Sequence, residues 1–126
     1  MEESSYKDGE LIPLLVSADT KIQTGDIVLC SDAGLATTSA TGVRVAGISL
    51  DDVDNTNGEA GAQRVLVRRG KAYLLHNSSS SPITGADLFN TVYYESRQTV
   101  SRTGSKAAGK VVQIEEDGTK VWVVVG

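Results

Sequence analysis

Ile22-Gln23-Thr24-Gly25-Asp26-Ile27-Val28-Leu29 is the stretch of sequence that decides the fold class of this chain. A Thr-Gly-Asp turn is followed at once by a run of apolar, mostly β-branched residues, which is typical of a turn that leads into a β-strand. Short valine-rich runs beside a glycine recur at residues 43–48, 65–70 and 121–126. No long segment keeps the apolar period of about 3.6 residues that marks an amphipathic helix. The sequence therefore predicts a nearly all-β protein.

The spacing of these runs also indicates the architecture. Strands that recur about every ten residues predict a small single-domain β-barrel or sandwich of short strands, with little helix. Asp117-Gly118 between two apolar runs is the strongest hairpin signal, and residues 84–89 are compatible with one helical turn. Residues 71–76 either continue the strand before them or pair with it as a hairpin, and residues 51–61 form the longest loop. The predicted strands are 26–30, 35–37, 44–50, 64–70, 91–94, 98–100, 107–114 and 120–125.

The N-terminal region differs in composition from the rest. We predict an extended arm over residues 1–15 and a β domain over residues 16–126 of this 126-residue chain. The first ten residues are polar and charged, with Tyr6 as the only large apolar side chain. Pro13 restricts the segment that follows to an edge strand or to the approach to a sheet, because proline cannot donate to a ladder. We expect the arm either to lie across a partner or to pack on its own domain.

Charge and composition limit the partners. The net charge is −4 and the basic residues are scattered, which argues against a nucleic-acid or anionic-membrane surface. The start of the chain is acidic rather than signal-like, and no apolar run approaches the ~20 residues of a membrane span. Cys30 is the single cysteine, so an intramolecular disulfide is excluded. We expect synthesis in a reducing cytosol, no direct contact with nucleic acid and no membrane association.

Residues suited to catalysis are scarce. His76 is the single histidine, and the nearby run Ser78–Ser81 could supply a nucleophile only if it were held rigidly. A serine-only tip is the opposite of rigid, so an exposed histidine at a strand end is the favoured interpretation. A hydrolase based on His76 is the remaining enzymatic alternative. We predict a protein that is not an enzyme and that needs no cofactor.

The acidic loop matches part of the pattern of a calcium-binding loop. Asp52, Asp54 and Thr56 have the alternate spacing with which an EF-hand loop begins. However, Asn57 stands where that loop needs glycine, and Gln63 stands where a glutamate closes it. We therefore expect a solvated loop and predict no metal site, with an irregular calcium site over residues 51–59 as the alternative.

Taken in order, the turn and strand signals resemble those of the small capsid-decoration, or cement, proteins of tailed double-stranded DNA phages. The resemblance covers about Val16 to Gly126, and the N-terminal arm lies outside it. The residues that carry it are Ala18, Ile22, Gly25, Asp26, Val28, Gly34, Val45-Ala46-Gly47-Ile48, Val65-Leu66-Val67, Gly70, Ala72, Gly85, Leu88, Val92, Tyr93, Ala108-Gly109 and Val121-Trp122-Val123.

This resemblance implies a viral structural protein without catalysis. Such a protein binds the major capsid protein on the outer surface of the virion and stabilises the expanded shell. It often does so as a homotrimer at three-fold or quasi-three-fold sites, after synthesis in the host cytoplasm. As partner-binding anchors we expect Tyr6, Leu11 and Ile12 in the arm. In the domain we expect Tyr93, Tyr94 and Trp122, with ordinary core packing as the other interpretation of these three.

Two further kinds of binding protein fit the same pattern. One is another phage structural module, in a head fibre, tail or baseplate. The other is a module that binds carbohydrate or a host surface, which would need an exposed aromatic platform. Six aromatic residues in the whole chain make such a platform scarce.

Overall fold

The structure is a computed structural model, and it describes residues 9–126. Across that range the chain forms twelve strands and one short 3-10 turn, which confirms the predicted all-β fold class. The 3-10 turn covers Gly85–Asp87. The strands are β1 (Leu11–Leu15), β2 (Thr20–Ile22), β3 (Ile27–Cys30), β4 (Ala36–Thr37), β5 (Arg44–Ser49), β6 (Val53–Asn55), β7 (Arg64–Arg68), β8 (Ala72–Asn77), β9 (Thr91–Ser96), β10 (Thr99–Ser101), β11 (Ala107–Ile114) and β12 (Lys120–Val125).

The strands form a sheet, a barrel and a ribbon. The sheet has five strands in the order β1-β7-β5-β3-β4, and β2 and β6 form the two-stranded ribbon. The barrel is closed, in the order β10-β8-β12-β11-β9. Its pairs are antiparallel except for β10 with β8, which run parallel. Closing the barrel pairs both sides of every strand in it, so the barrel presents no free strand edge.

Two apolar clusters hold these parts together. The larger joins the sheet to the barrel, with Ile27 and Ile48 from the sheet packed among Val92, Val111 and Val123 from the barrel. The smaller lies between the other face of the sheet and the ribbon, and it includes Ile22, Val28, Val53 and Val65. Because the sheet contributes to both clusters, it is the central layer of the domain.

Asp26, from the stretch that decides the fold class, links the sheet to the barrel. Its side chain is buried, and Oδ2 accepts a hydrogen bond of 2.9 Å from the backbone N–H of Gln23. Oδ2 also lies 3.7 Å from the guanidinium of Arg97, and Oδ1 accepts a 3.3 Å hydrogen bond from Gln98 Nε2. Arg97 and Gln98 form the turn between β9 and β10. The turn before β3 therefore starts a strand and also holds the barrel against the sheet.

The N-terminal boundary differs from the prediction. Leu11–Leu15, assigned to the arm from the sequence, is β1 and pairs antiparallel with β7. It is an edge strand, as Pro13 predicts. Leu66 lies opposite Pro13. Its N–H donates to Asp51 Oδ2, and its carbonyl accepts from the N–H of Leu50, so both backbone groups of Leu66 point away from β1. The backbone of Pro13 thus faces away from the sheet, where the missing N–H costs no ladder hydrogen bond.

Two other details of the prediction were wrong. The segments 64–70 and 71–76 are neither one strand nor a hairpin, because Gly70, with φ of 77°, turns the chain from the sheet into the barrel. The acidic loop contains β6, which pairs with β2. Asn55 closes that loop, since its buried amide donates to the carbonyls of Ser17 and Glu59 at 2.9 and 3.0 Å.

Candidate functional site

The outer face of the barrel carries an apolar stripe. Successive side chains of a strand point to opposite faces, so in β12 Val121, Val123 and Val125 fill the barrel while Trp122 and Val124 face outwards. Trp122 lies directly opposite Leu74 of β8, whose exposed fraction is 39%. We use the name barrel stripe for Leu74, Trp122, Val124 and the neighbouring Val112 of β11. This stripe is apolar area that residues 9–126 leave partly open to solvent.

A groove of about 540 Å³ continues from one end of the barrel stripe. Val112 and Val124 belong to both, and the groove is also lined by Phe89, Lys110 and Arg69. Phe89 is the most exposed large apolar residue among the described residues, with 67% of its surface accessible. We call this feature the Phe89 groove. The remaining lining residues are Val45, Thr91, Ala107, Ala108, Gly109 and Gly126.

Phe89 is held in place by its backbone. Its φ is 67°, a left-handed conformation that costs a non-glycine residue about 1–3 kcal/mol. Its N–H donates to the carbonyl of Val111 at 2.7 Å, which ties it to β11. The 3-10 turn before it is closed by Asp87, whose carboxylate accepts from the N–H of Thr84 at 2.8 Å and pairs with Arg102 at 3.3 Å. The exposed ring is therefore displayed by a fixed turn rather than by a loose loop.

The floor of the Phe89 groove depends on Gly109. A Cβ atom placed on Gly109 would lie 1.8 Å from the carbonyl oxygen of Val124. β11 and β12 can approach this closely only because residue 109 has no side chain. The groove is thus a product of the pairing between these two strands.

The predicted anchors fall into different surroundings. Leu11 and Ile12 are half-buried in β1, where they are held by the domain itself rather than by a free arm. Tyr6 lies outside the described residues. Trp122 belongs to the barrel stripe. The structure therefore does not bring the five described anchors together in one site.

The two tyrosines of β9 differ in role. Tyr94 packs against the barrel core, which agrees with the alternative expectation of ordinary core packing. Burial raises the pKa of its hydroxyl. Lys106 Nζ lies 5.9 Å from the centre of its ring. Tyr93 is half-buried beside Gly104, where an added Cβ would lie 2.7 Å from Tyr93 Cβ. Sequence reasoning chose these tyrosines and missed Phe89, whose exposure depends on a long-range contact with β11.

The serine tip is more ordered than expected. Ser78 is buried, and its hydroxyl lies 2.6 Å from Glu95 Oε1, to which it donates. The same Oγ accepts from the N–H groups of Ser80 and Ser81, at 3.3 and 3.0 Å. His76 is exposed, and within residues 9–126 its side chain makes no hydrogen bond to any of these serines. Ser78 therefore stabilises the turn through its hydrogen bonds to Ser80, Ser81 and Glu95.

The carboxylates of the acidic loop also serve turns. Asp52 Oδ1 accepts from the N–H of Thr24 at 2.8 Å, and Asp54 Oδ1 accepts from the N–H of Thr56 at 3.0 Å. These hydrogen bonds lower the pKa of both exposed carboxyls. In the part of the chain that the structure describes, no three His, Cys, Asp or Glu side chains are close enough to hold a metal ion.

The chain was also compared with known proteins. No family model, no curated protein and no solved structure matches it. Residues 9–126 contain no helix that is long and apolar enough to cross a membrane.

Proposed function

We propose that this protein is a non-enzymatic structural component of a tailed phage that binds the outer surface of the capsid and stabilises the expanded shell. The observation that carries the proposal is the barrel stripe, an apolar surface on the outside of a barrel whose interior is already filled by its own valines. The ordered series of glycine and valine signals, which resembles that of the cement proteins, supports it.

The strand edges favour docking through side chains. The barrel has no free edge, and Pro13 interrupts the outer edge of β1. Few free strand edges therefore remain where a partner could add a strand. The barrel stripe offers the other route, in which a large aromatic residue and its aliphatic neighbours are buried against the partner. Leu74 and Trp122 would be the centre of that contact.

Stabilisation of the shell follows from differential binding. A protein that binds the expanded shell more tightly than the unexpanded one shifts the equilibrium towards expansion by mass action. Each copy needs only a few kcal/mol, because many copies act on one shell. A homotrimer, which we propose as the bound form, would raise the avidity further when its three barrels engage together.

The direct test is co-sedimentation with expanded capsids that lack the protein, taken from the phage that encodes it. We expect saturable binding and a higher temperature of capsid disruption. Light scattering on the free protein should give the mass of three chains. Failure of the wild-type protein to co-sediment would reject the capsid function.

Another phage structural module, in a head fibre, tail or baseplate, could use the same barrel stripe. Electron microscopy of virions with gold-labelled protein separates these locations. Label spread over the head surface supports the cement role, and label confined to the tail or to a single vertex contradicts it.

A further inference from the structure

The Phe89 groove has an apolar centre and basic side chains at its wall. Phe89, Val112 and Val124 provide the apolar surface, and Lys110 and Arg69 provide the positive charge. Within residues 9–126 neither of these cations forms an ion pair, and the Phe89 ring keeps 67% of its surface accessible. A segment that fits this groove should carry negative charge and should cover the ring.

A surface of opposite charge lies at the other end of the same hairpin. The turn between β11 and β12 carries Glu115, Glu116 and Asp117, and we call these three residues the acidic tip. Glu116 and Asp117 are exposed. In the part of the chain that the structure describes, none of the three carboxylates forms an ion pair. The hairpin thus presents cations at one end and carboxylates at the other.

The acidic tip is held in a fixed shape. The N–H of Gly118 donates to the carbonyl of Glu115 at 2.8 Å. The Asp117 carboxylate accepts from the N–H and the hydroxyl of Thr119 at 3.0 and 2.8 Å. The side-chain amide of Asn77, in β8, donates to the carbonyl of Gly118 at 2.9 Å. A turn that is ordered in this way loses little conformational entropy when it docks.

The acidic tip cannot reach the groove of its own chain. Lys110 and Ile114 are four residues apart in β11, which separates them by about 13 Å at roughly 3.3 Å per residue. Glu116 lies beyond Ile114 in the turn. Because the tip and the groove belong to one paired hairpin, their separation is fixed. The tip can therefore meet the groove only in a second copy of the chain.

We infer that the acidic tip of one copy docks in the Phe89 groove of the next copy, with Glu116 facing Lys110. The groove, at about 540 Å³, lies within the range of roughly 300–1,000 Å³ that is usual for cavities that hold a ligand. Covering the Phe89 ring supplies apolar burial, and the opposite charges set the orientation of the two copies. This charge complementarity within one sequence favours a second copy over an unrelated partner.

A contact between two different surfaces repeats from copy to copy. Such a contact builds a closed ring when its rotation closes, and an open filament when it does not. The ring of three is the homotrimer of the proposed function, on which this inference rests. Each copy then gives one tip and receives another, so that all three Phe89 rings are covered. Leu74 and Trp122 take no part in this contact and remain available for the proposed capsid contact.

Charge exchange tests the contact in the full chain without capsids. Light scattering over a dilution series gives the concentration at which half of the protein is trimeric. Glu116→Lys and Lys110→Glu should each raise this concentration at least about tenfold, because like charges then face each other. The double variant should return it close to the wild-type value, since the opposite charges are restored. Glu59→Lys, the same charge change in the acidic loop, is the control and should leave it unchanged.

These measurements separate failure of this inference from failure of the capsid function. Weakened single variants without recovery in the double variant would overturn the contact between the tip and the groove. A trimer that responds to neither single substitution would overturn it as well. A wild-type protein that is monomeric, or whose mass grows beyond three chains, would overturn the ring. In each case co-sedimentation of the wild-type protein with capsids still decides the capsid function by itself.

Disulfide cross-linking tests the same contact by distance. Lys110→Cys and Glu116→Cys are combined in a Cys30→Ser background and oxidised with glutathione disulfide. Cα atoms more than about 7 Å apart cannot be bridged, so a bond between these positions of one chain is excluded. We expect covalent trimers on a non-reducing gel, and no cross-link when either new cysteine is present alone. Dimers from a single-cysteine chain would show a symmetric contact, and trimers in solution that do not cross-link would place the contact elsewhere; either result would overturn the proposal.

Discussion

Trp122 of β12 and Leu74 of β8 lie directly opposite each other on the outside of the closed barrel. The backbone pairing of β8 with β12 fixes both residues, so their side chains form a preorganised apolar surface. Preorganisation favours binding because these side chains lose little conformational entropy when a partner binds. The geometry makes this pair the part of the barrel stripe best suited to a test by substitution.

Leu74→Ser should weaken binding to expanded capsids about tenfold, since loss of a partly buried leucine contact corresponds to about 1–2 kcal/mol. Leu15→Ser is the matched control, because Leu15 is 43% exposed but lies on the edge strand of the sheet. The affinities follow from quantitative co-sedimentation, with thermal melting to check the fold. Equal loss in both variants would argue against a specific role of the barrel stripe.

Gly109→Ala should destabilise the domain by about 3 kcal/mol, because the new Cβ would meet the Val124 carbonyl and force β11 and β12 apart. Gly85→Ala is the control, as a Cβ at Gly85 meets no atom within 4 Å. That variant should stay within about 0.5 kcal/mol of the wild type. Urea unfolding measures both. A Gly109→Ala variant as stable as Gly85→Ala would contradict the close approach of the two strands.

Asp26→Ala should cost about 2–3 kcal/mol of unfolding free energy, because it removes a buried carboxylate that accepts from Gln23 and Gln98 and pairs with Arg97. The exposed Asp32→Ala, in the turn after β3, is the control and should change the stability by less than about 0.5 kcal/mol. Chemical denaturation gives the two values. A small effect at Asp26 would show that the link between sheet and barrel does not depend on this side chain.

Acid should destabilise the protein through three turn carboxylates. Hydrogen bonds from Thr24, Thr56 and Thr119 lower the pKa of Asp52, Asp54 and Asp117 below 3.8, the value for an unperturbed carboxyl. A lowered pKa in the folded state means that the folded state binds fewer protons, so the stabilisation is present above the unfolded pKa. It is lost as the pH falls through the folded pKa.

The test is the urea midpoint between about pH 5 and pH 2, where unperturbed carboxyls titrate. We expect a decline for the wild type and a shallower decline for Asp117→Asn, which cannot titrate at that position. Parallel curves for the two proteins would rule out a contribution from Asp117.

Local signals explain which strands were predictable. β11 and β12 match the predicted 107–114 and 120–125 because two apolar runs flank an Asp-Gly turn. Burial alternates strictly along β12, whereas register shifts interrupt the alternation in β11. β2 and β6 were missed because three-residue strands with a polar middle residue, such as Val53–Asn55, carry almost no periodic signal. Their pairing is decided by the burial of Ile22 and Val53 against the sheet, which is a tertiary effect.

The candidate site was less predictable than the fold. The outward position of Trp122 follows from the alternation of β12, but the sequence alone could not decide between core and surface, because either face could have been the inner one. Phe89 gave no signal of its own, since its exposure results from the turn closed by Asp87 and from the hydrogen bond to Val111. Thr84 and Asp87, three residues apart before an apolar pair, were the only local hint of that turn.

Pro13 has a consequence for behaviour in crowded conditions. Chains held side by side on a surface reach high local concentrations, at which free sheet edges tend to pair through backbone hydrogen bonds and form aggregates. The β1 edge interrupts such a ladder at its middle residue, so neighbouring copies should remain separate folded units even when they are packed closely. The β1 edge can thus stay exposed to solvent without serving as a template for fibres.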